Sequence, residues 1–244
     1  MCMSIGGWGD TAGFSVAAAD GPSRELYARN VNQTLAEHGY DCVDIDWEYP
    51  GGDGEDYKQH PDAVKVGEKA TYPLLLQAIR DAIDGKELTI AVPGLERSMI
   101  AFTADQVPKI NDIVDVVNWH GFRRTTTTTH HTSVQGSLES VQRYIDRGID
   151  PAKINIGFAF YAKYFPTTGP CPQGLGCPVV ALEDLVTGAD SGLSGAVTFQ
   201  QGNAMFSKGK ADETAGGQYY WDSDTKYFWT WDTPEFIAQK FVKS

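Results

Sequence analysis

Three carboxylates lie two residues apart in one short segment of the chain. Asp44, Asp46 and Glu48 alternate with apolar residues, which are Val43, Ile45 and Trp47. Because strand side chains alternate between two faces, the segment predicts one face with carboxylates about 6.6 Å apart and one apolar face. Crowding and desolvation raise the pKa of at least one carboxylate in such a row, and proteins keep the arrangement where a proton is held or donated. The segment therefore predicts a catalytic strand.

Two other interpretations of this segment are a solvated acidic edge strand and a calcium site. An edge strand does not normally place Val, Ile and Trp together on its second face. A calcium loop of the EF-hand type requires a defined Asp/Asn/Gly spacing with a glycine at the turn, which this segment lacks. Both interpretations are weaker than catalysis.

Length and charge limit the possible functions. The 244 residues are 41% hydrophobic, which is enough for a sizeable core in one or two domains. The net charge of −12 argues against nucleic-acid binding and suits a neutral or cationic partner such as an amino-sugar polymer. Six Trp and eleven Tyr offer faces for sugar stacking. No apolar run approaches the roughly 18 residues of a membrane span.

Strand and helix patterns alternate over the first 160 residues. The predicted strands are 1–6, 42–48, 88–92, 112–119 and 154–161, and the predicted helices are 24–38, 68–84 and 134–147. Strands separated by helices indicate parallel βαβ units, and reactive residues at their carboxyl ends favour a (β/α)8 TIM barrel. A doubly wound sheet is the main alternative, but no Gly-rich phosphate loop follows the first strand.

The alternation of strand and helix patterns ends after residue 164. Residues 165–230 are rich in Gly, Thr, Asp and aromatics, and aromatic runs on both sides of a Ser-Asp turn predict a hairpin near 217–231. We expect a partial barrel core over 1–164, a small α+β insertion domain over 165–230, and a return to a barrel helix over 231–244.

The four cysteines form two groups. Cys171 and Cys177 lie in one loop and could form a disulfide, which fits an oxidising compartment. A zinc site is the weaker alternative, because the paired histidines at 130–131 are distant in sequence. Cys2 and Cys42 lie on neighbouring predicted strands, where we expect free core thiols rather than a bridge.

These motifs resemble the fungal-type chitinases of glycoside hydrolase family 18. Ser4, Gly6 and Gly7 match the family's SxGG motif at the end of the third barrel strand. The segment from Asp41 to Glu48 matches its DxxDxDxE motif at the end of the fourth strand.

The rest of the chain continues the resemblance. Residues 91–95 resemble the end of the fifth strand, 156–161 that of the seventh, and 171–232 the α+β insertion of the larger members. The first two barrel strands and the eighth have no counterpart, so the resemblance implies an incomplete TIM barrel of strands 3 to 7 with a small α+β insertion domain.

One segment departs from the family. The sixth strand of the family ends in Met-x-Tyr-Asp, whose Tyr and Asp contact the substrate's acetamido group, and this chain has Val117-Asn118-Trp119-His120. An ungapped alignment places Trp119 at the tyrosine and His120 at the aspartate, so both are candidate substrate-binding residues.

The resemblance implies hydrolysis of β-1,4-linked N-acetylglucosamine polymers with retention, without a cofactor or metal. No separate protein nucleophile is evident, and family 18 uses the substrate's own 2-acetamido group as nucleophile. Glu48 would be the general acid/base, Asp46 would orient the acetamido group, and Asp44 would share a proton with Asp46. Asp41 would support the start of the strand.

Tyr49 and Tyr161 are further candidates for substrate binding, and a core role for Tyr161 stays equally open. Trp47 faces away from the carboxylates and is expected in the core. The expected partner is chitin or a chitooligosaccharide, with no nucleic acid and no membrane, and the sequence does not give the oligomeric state. The resemblance implies an extracellular protein, although no signal peptide is present in the chain. The alternatives are a catalytically impaired glycan-binding protein and an incomplete gene product.

Overall fold

The protein is described by a computed structural model, and the description applies to residues 1–10, 12–120, 126–201 and 203–243. Its contacts divide the chain into two compact units. Unit 1 comprises Met1–His120 and Ser140–Gly157, and unit 2 comprises Gly121–Glu139 and Phe158–Ser244. The predicted insertion 165–230 lies within unit 2, which also includes residues 158–164 and 231–244. No described helix is both long enough and apolar enough to span a bilayer.

Unit 1 contains a parallel five-stranded sheet in the order β1-β2-β3-β4-β5. Its strands are β1 (Cys2–Gly6), β2 (Cys42–Asp46), β3 (Glu87–Pro93), β4 (Val116–His120) and β5 (Ile154–Ile156). Consecutive strands along the chain are neighbours in the sheet, as expected for βαβ units. The α/β class predicted from the sequence is confirmed for this unit.

Helices connect these strands. They are α1 (Ala12–Ala18), α2 (Gly21–His38), α3 (Glu68–Ala82), α4 (Val107–Ile113) and α5 (Val134–Arg147). Short 3-10 turns occur at Asp62–Val64, Glu96–Ser98 and Pro151–Lys153. The bounds of α2 follow from its sequence, since Asp20 caps the first turn by accepting from the Ser23 N–H at 2.8 Å and Gly39 ends the helix at φ 69°.

A row of aromatic rings fills the core between the sheet and the helices of unit 1. Trp47 stacks on Phe14 at 5.3 Å between ring centroids and meets Tyr72 edge-on at 5.6 Å. Phe102 continues the row to Tyr144 at 5.6 Å. Trp47 is 1% exposed, so its predicted core role is confirmed. Because these rings pack behind β2, they fix the strand that carries the carboxylates.

Unit 2 contains an antiparallel five-stranded sheet in the order β7-β6-β10-β9-β8. Its strands are β6 (Tyr161–Pro166), β7 (Gly195–Thr198), β8 (Lys210–Asp212), β9 (Gly217–Trp221) and β10 (Tyr227–Trp231), and its remaining helices are α6 (Asn203–Phe206) and α7 (Pro234–Lys243). Strands β9 and β10 pair as a hairpin, which confirms the prediction from their aromatic runs. Asp222 closes its turn, since its N–H donates to the Tyr227 carbonyl at 2.8 Å.

Two predicted strands have wrong bounds. The apolar run 112–119 begins inside helix α4, and only Val116–His120 is extended. The predicted strand 154–161 is divided, because Ile154–Ile156 pairs in the parallel sheet whereas Tyr161 begins a strand of the antiparallel sheet. Apolar runs do not reveal where a chain leaves one sheet for another.

The structure contains two disulfides. Cys171 and Cys177 are bonded, as their spacing allowed, so their sulfurs are not available to a zinc ion. Cys2 and Cys42 are also bonded, so the prediction that both are free thiols is wrong. They face each other in register on β1 and β2 with their Cα atoms 4.5 Å apart, within the range that a disulfide spans.

Candidate active site

The predicted alternation of β2 is present in the structure. Val43 and Ile45 are fully buried against the helices, while Asp44, Asp46 and Glu48 are half-buried. Since Asp46 ends the strand, Glu48 lies just beyond its carboxyl end. In parallel α/β folds this end of the sheet is where reactive groups collect.

Asp44 accepts hydrogen bonds from side chains on three other strands, which are the neighbours β1 and β3 and the next strand β4. Ser4 on β1 donates to Oδ2 at 3.0 Å, and Thr89 on β3 donates to Oδ1 at 2.5 Å. Asn118 on β4 also donates to Oδ1, at 2.9 Å, and in turn accepts from Asn155 on β5 at 3.2 Å. These contacts fix the orientation of a half-buried carboxylate and compensate its desolvation.

The glycines at the end of β1 lie against Asp46. The N–H of Gly7 donates to the Asp46 carbonyl at 2.9 Å. A Cβ on Gly6 would come within 2.3 Å of the same oxygen, and its φ of +108° disfavours any other residue type. The close approach of β1 to the strand that carries the carboxylates therefore requires glycine at this point of the SxGG segment.

Tyr49 forms a side-chain hydrogen bond with Glu48, and the peptide bond between the two residues is cis. Burial raises the pKa of Tyr49 well above its ordinary value, and the negative charge of Glu48 raises it further. Tyr49 is therefore a protonated phenol at neutral pH and can donate to a carboxyl oxygen of Glu48. Tyr49 is also packed edge-on against the exposed ring of Trp8, at 6.3 Å.

The loop after Glu48 is anchored by carboxylates. The N–H of Gly51 donates to Glu68 at 2.9 Å, and the N–H of Asp53 donates to Asp62 at 2.9 Å. Gly54 lies so close to Glu48 that a Cβ would meet the Glu48 carbonyl at 2.5 Å. The two hydrogen bonds fix the loop, and Gly54 brings it against the backbone of Glu48.

Asp41 lies outside the carboxylate row. It is exposed, precedes β2, and its N–H donates to the Met1 carbonyl at 3.0 Å, continuing the pairing of β1 and β2. This position is consistent with the predicted role at the start of the strand.

The assignment of Trp119 to the substrate face is wrong. Trp119 is 3% exposed and belongs to the core cluster on the face of β4 opposite to Asn118. Its indole N–H donates to Ser140 on α5 at 2.7 Å. The ungapped alignment placed the bulky aromatic residue at the tyrosine position, but the alternation of the strand directs it to the helices.

The other predicted substrate contacts stay predictions. His120 ends β4 opposite Pro93, and its side chain lies outside the described part of the protein. Tyr161 begins β6 in unit 2, half-buried, with its ring 5.6 Å from that of His131. Burial raises the pKa of the Tyr161 hydroxyl.

Sequence reasoning missed Thr89 and Asn118. Each is a polar residue flanked by apolar ones, Leu88 and Ile90 for the first and Val117 and Trp119 for the second. Strand alternation places both on the same face as the carboxylates, so the signal was present for each, and for Asn118 the comparison with Met-x-Tyr-Asp directed attention to Trp119 and His120 instead.

One group of residues in the described part of the chain has the spacing of metal ligands. It consists of Cys2, Cys42 and Glu87, whose ligand atoms lie within 4.8 Å of one another. The two sulfurs are bonded to each other, which leaves a single exposed carboxylate. This group does not fit a metal ion in the disulfide state.

Known proteins are similar to this chain along its whole length. The family model described as Glycosyl hydrolases family 18 matches residues 1–244. "Chitinase 1" of Aphanocladium album is 26% identical over 98% of this chain and 57% of its own length. "Endochitinase 1" of Metarhizium robertsii is 25% identical over 99% of this chain and 58% of its own length. The chain thus spans less than two thirds of these relatives.

A solved structure shows the same fold. The second catalytic domain of the Group II chitinase of Ostrinia furnacalis superposes with a TM-score of 0.79 at 21% identity, covering 98% of this chain and 66% of that chain. With a family model that matches its whole length, this chain belongs to glycosyl hydrolase family 18.

Proposed function

We propose that the protein hydrolyses β-1,4-linked N-acetylglucosamine polymers by a retaining, substrate-assisted mechanism. The observation that carries the proposal is the carboxylate row of β2. Glu48 lies beyond the strand's end with Tyr49 as donor, and Asp46 and Asp44 lie below it on the same face. The relatives named as chitinases support the choice of substrate.

In the first step Glu48 transfers its carboxyl proton to the glycosidic oxygen, and the bond from that oxygen to the anomeric carbon breaks. The carbonyl oxygen of the sugar's own 2-acetamido group attacks the anomeric carbon from the other face and forms a cyclic oxazolinium intermediate. In the second step the Glu48 carboxylate takes a proton from water, the resulting hydroxide attacks the anomeric carbon, and the ring opens with net retention.

Asp46 is the residue that orients the acetamido group. It lies two residues before Glu48 on the same face, and its backbone is fixed by Gly7. Its carboxylate accepts the acetamido N–H and thereby increases the nucleophilicity of the carbonyl oxygen. Asp44 lies deeper and supports Asp46, with the proton shared between the two carboxylates.

We further propose that β1 to β5 correspond to strands three to seven of a (β/α)8 barrel. The parallel order of the sheet and the position of the carboxylates at the carboxyl end of β2 support this assignment. Extracellular action is part of the proposal, because two disulfides suit an oxidising compartment.

The test is turnover of an N-acetylglucosamine hexamer by the folded protein and by Glu48→Gln. The amide cannot donate the proton, so kcat should fall at least about hundredfold. Glu37→Gln, which changes an exposed carboxylate on α2, is the matched control and should keep the wild-type rate. Hydrolysis that persists in Glu48→Gln would remove Glu48 from the mechanism, and binding without turnover in the wild type would replace hydrolysis by glycan binding.

A further inference from the structure

A chain of side-chain amides leads from the exposed edge of the parallel sheet to the carboxylate row. Asn155 on β5 donates to the Oδ1 of Asn118 at 3.2 Å. Asn118 on β4 then donates to Asp44 at 2.9 Å. The hydrogen bond of Asp44 to Asn118 on β4 is therefore continued by a second hydrogen bond, to Asn155 on β5.

We call the two hydrogen bonds from Asn155 through Asn118 to Asp44 the relay. The direction of the relay follows from the chemistry of Asp44. The Oδ1 of Asp44 also accepts from the Thr89 hydroxyl, so Asn118 must present its NH2 group to that oxygen, whether or not Asp44 shares a proton with Asp46. Its carbonyl oxygen then faces β5, where it requires a donor. Asn155 supplies that donor and prevents the Asn118 amide from rotating its oxygen towards the carboxylate.

Packing gives no other reason for these two residues. Asn155 is exposed, and Asn118 is half-buried on the polar face of a strand whose Val117 and Trp119 are in the core. A half-buried amide costs desolvation free energy unless its hydrogen bonds are made. An apolar residue at 118 would pack beside Asp44 without that cost but could not orient the carboxylate.

We infer that Asn118 and Asn155 are positioning residues for the carboxylate row, and that Asn155 acts through Asn118. The inference rests on the proposed hydrolysis, because Asp44 matters there through its support of Asp46. Asp44 lies two residues before Asp46 on the same face of β2 and supports Asp46 rather than contacting the sugar itself. Misplacement of Asp44 should therefore affect the chemical step rather than sugar binding.

The test is a double-mutant cycle on kcat and KM with the hexamer. Asn118→Leu should lower kcat about tenfold to hundredfold with an unchanged KM, the size of effect that a small misplacement produces. Asn155→Ala should lower kcat by a smaller factor. The double variant should match Asn118→Leu within about twofold, because removal of Asn118 leaves Asn155 nothing to position.

The matched control is Asn30→Ala, which removes an exposed amide from α2 and should leave kcat and KM unchanged. Multiplicative effects of the two substitutions, or a rise in KM without a fall in kcat, would overturn the relay. A lower melting temperature with an unchanged kcat would assign the two residues a purely structural role and would overturn it as well.

A second measurement does not depend on activity. Hydrogen exchange of the Asn118 side-chain NH2 group, followed by NMR, should be several-fold slower than that of Asn30. Asn155→Ala should remove most of the difference. If the wild type does not hydrolyse the hexamer, the proposed function fails while this exchange still tests the relay. Equal exchange at both residues would overturn the relay even in an active enzyme.

Discussion

Removal of the Cys2–Cys42 disulfide should strongly destabilise the parallel sheet. The bond closes a loop with a sequence separation of 40 and joins the edge strand β1 to the carboxylate strand β2. Loop-closure entropy for about 40 residues corresponds to about 4 kcal/mol at 25 °C. The same relation gives about 2 kcal/mol for the separation of 6 in the Cys171–Cys177 bridge. Since domains are commonly stable by only about 5–15 kcal/mol, the first loss is large.

The assay is native-state hydrogen exchange by mass spectrometry on Cys2→Ala/Cys42→Ala, with Cys171→Ala/Cys177→Ala as the matched control. Peptides that cover β2 and β3 report on unit 1 alone. Their free energy of opening should fall by about 4 kcal/mol in the first variant and stay near the wild-type value in the second. If the free energy of opening decreases by less than about 1 kcal/mol in Cys2→Ala/Cys42→Ala, the assignment of Cys2–Cys42 as a stabilising link between the strands is refuted.

Three further predictions concern single side chains. Gly6→Ala should lower kcat about hundredfold, because its Cβ would lie 2.3 Å from a backbone oxygen of β2, whereas Gly85→Ala, at φ +76° with open space, should keep the wild-type kcat. Trp119→Phe should lower the free energy of unfolding by about 1 kcal/mol through the lost indole hydrogen bond and leave KM unchanged, and a tenfold rise in KM would show that Trp119 contacts the sugar. Burial lowers the pKa of His131 to about 3, so between pH 6.5 and 3 the unfolded state binds a proton that the native state does not. Stability should therefore fall as the pH falls through that window, by up to about 5 kcal/mol. The melting temperature of His131→Leu should differ less between pH 7 and pH 4 than that of the wild type. An equal difference would contradict the assignment of the pH dependence to His131.

The carboxylate row was predictable because strand alternation is a local property. Asp44 and Asp46 share a face with Glu48 for the same reason that Trp47 is buried, and no distant residue is needed to see it. The end of α2 was nearly as clear, since the left-handed conformation that ends the helix favours glycine and the chain has Gly39 there, whereas the start was predicted at residue 24 and lies at Gly21.

The partners of the row were less predictable because they depend on register between strands. That Ser4, Asp44 and Thr89 lie side by side follows from pairing of β1, β2 and β3, which local pattern does not fix. The same register brings Cys2 against Cys42, where hydrophobic patterning alone had suggested free thiols. Residues on separate strands meet through the sheet, and the sequence shows only that each lies on a strand.

The identity of the sugar at each cleavage site tests the substrate-assisted mechanism most directly. The measurement is sequencing of the new reducing ends after partial digestion of a randomly, partly deacetylated chitin. If the acetamido group is the nucleophile and Asp46 orients it, every new reducing end should be N-acetylglucosamine, and Glu48→Gln should produce none. New glucosamine ends in proportion to their content in the polymer would contradict the mechanism, because a sugar without an acetyl group cannot form the intermediate.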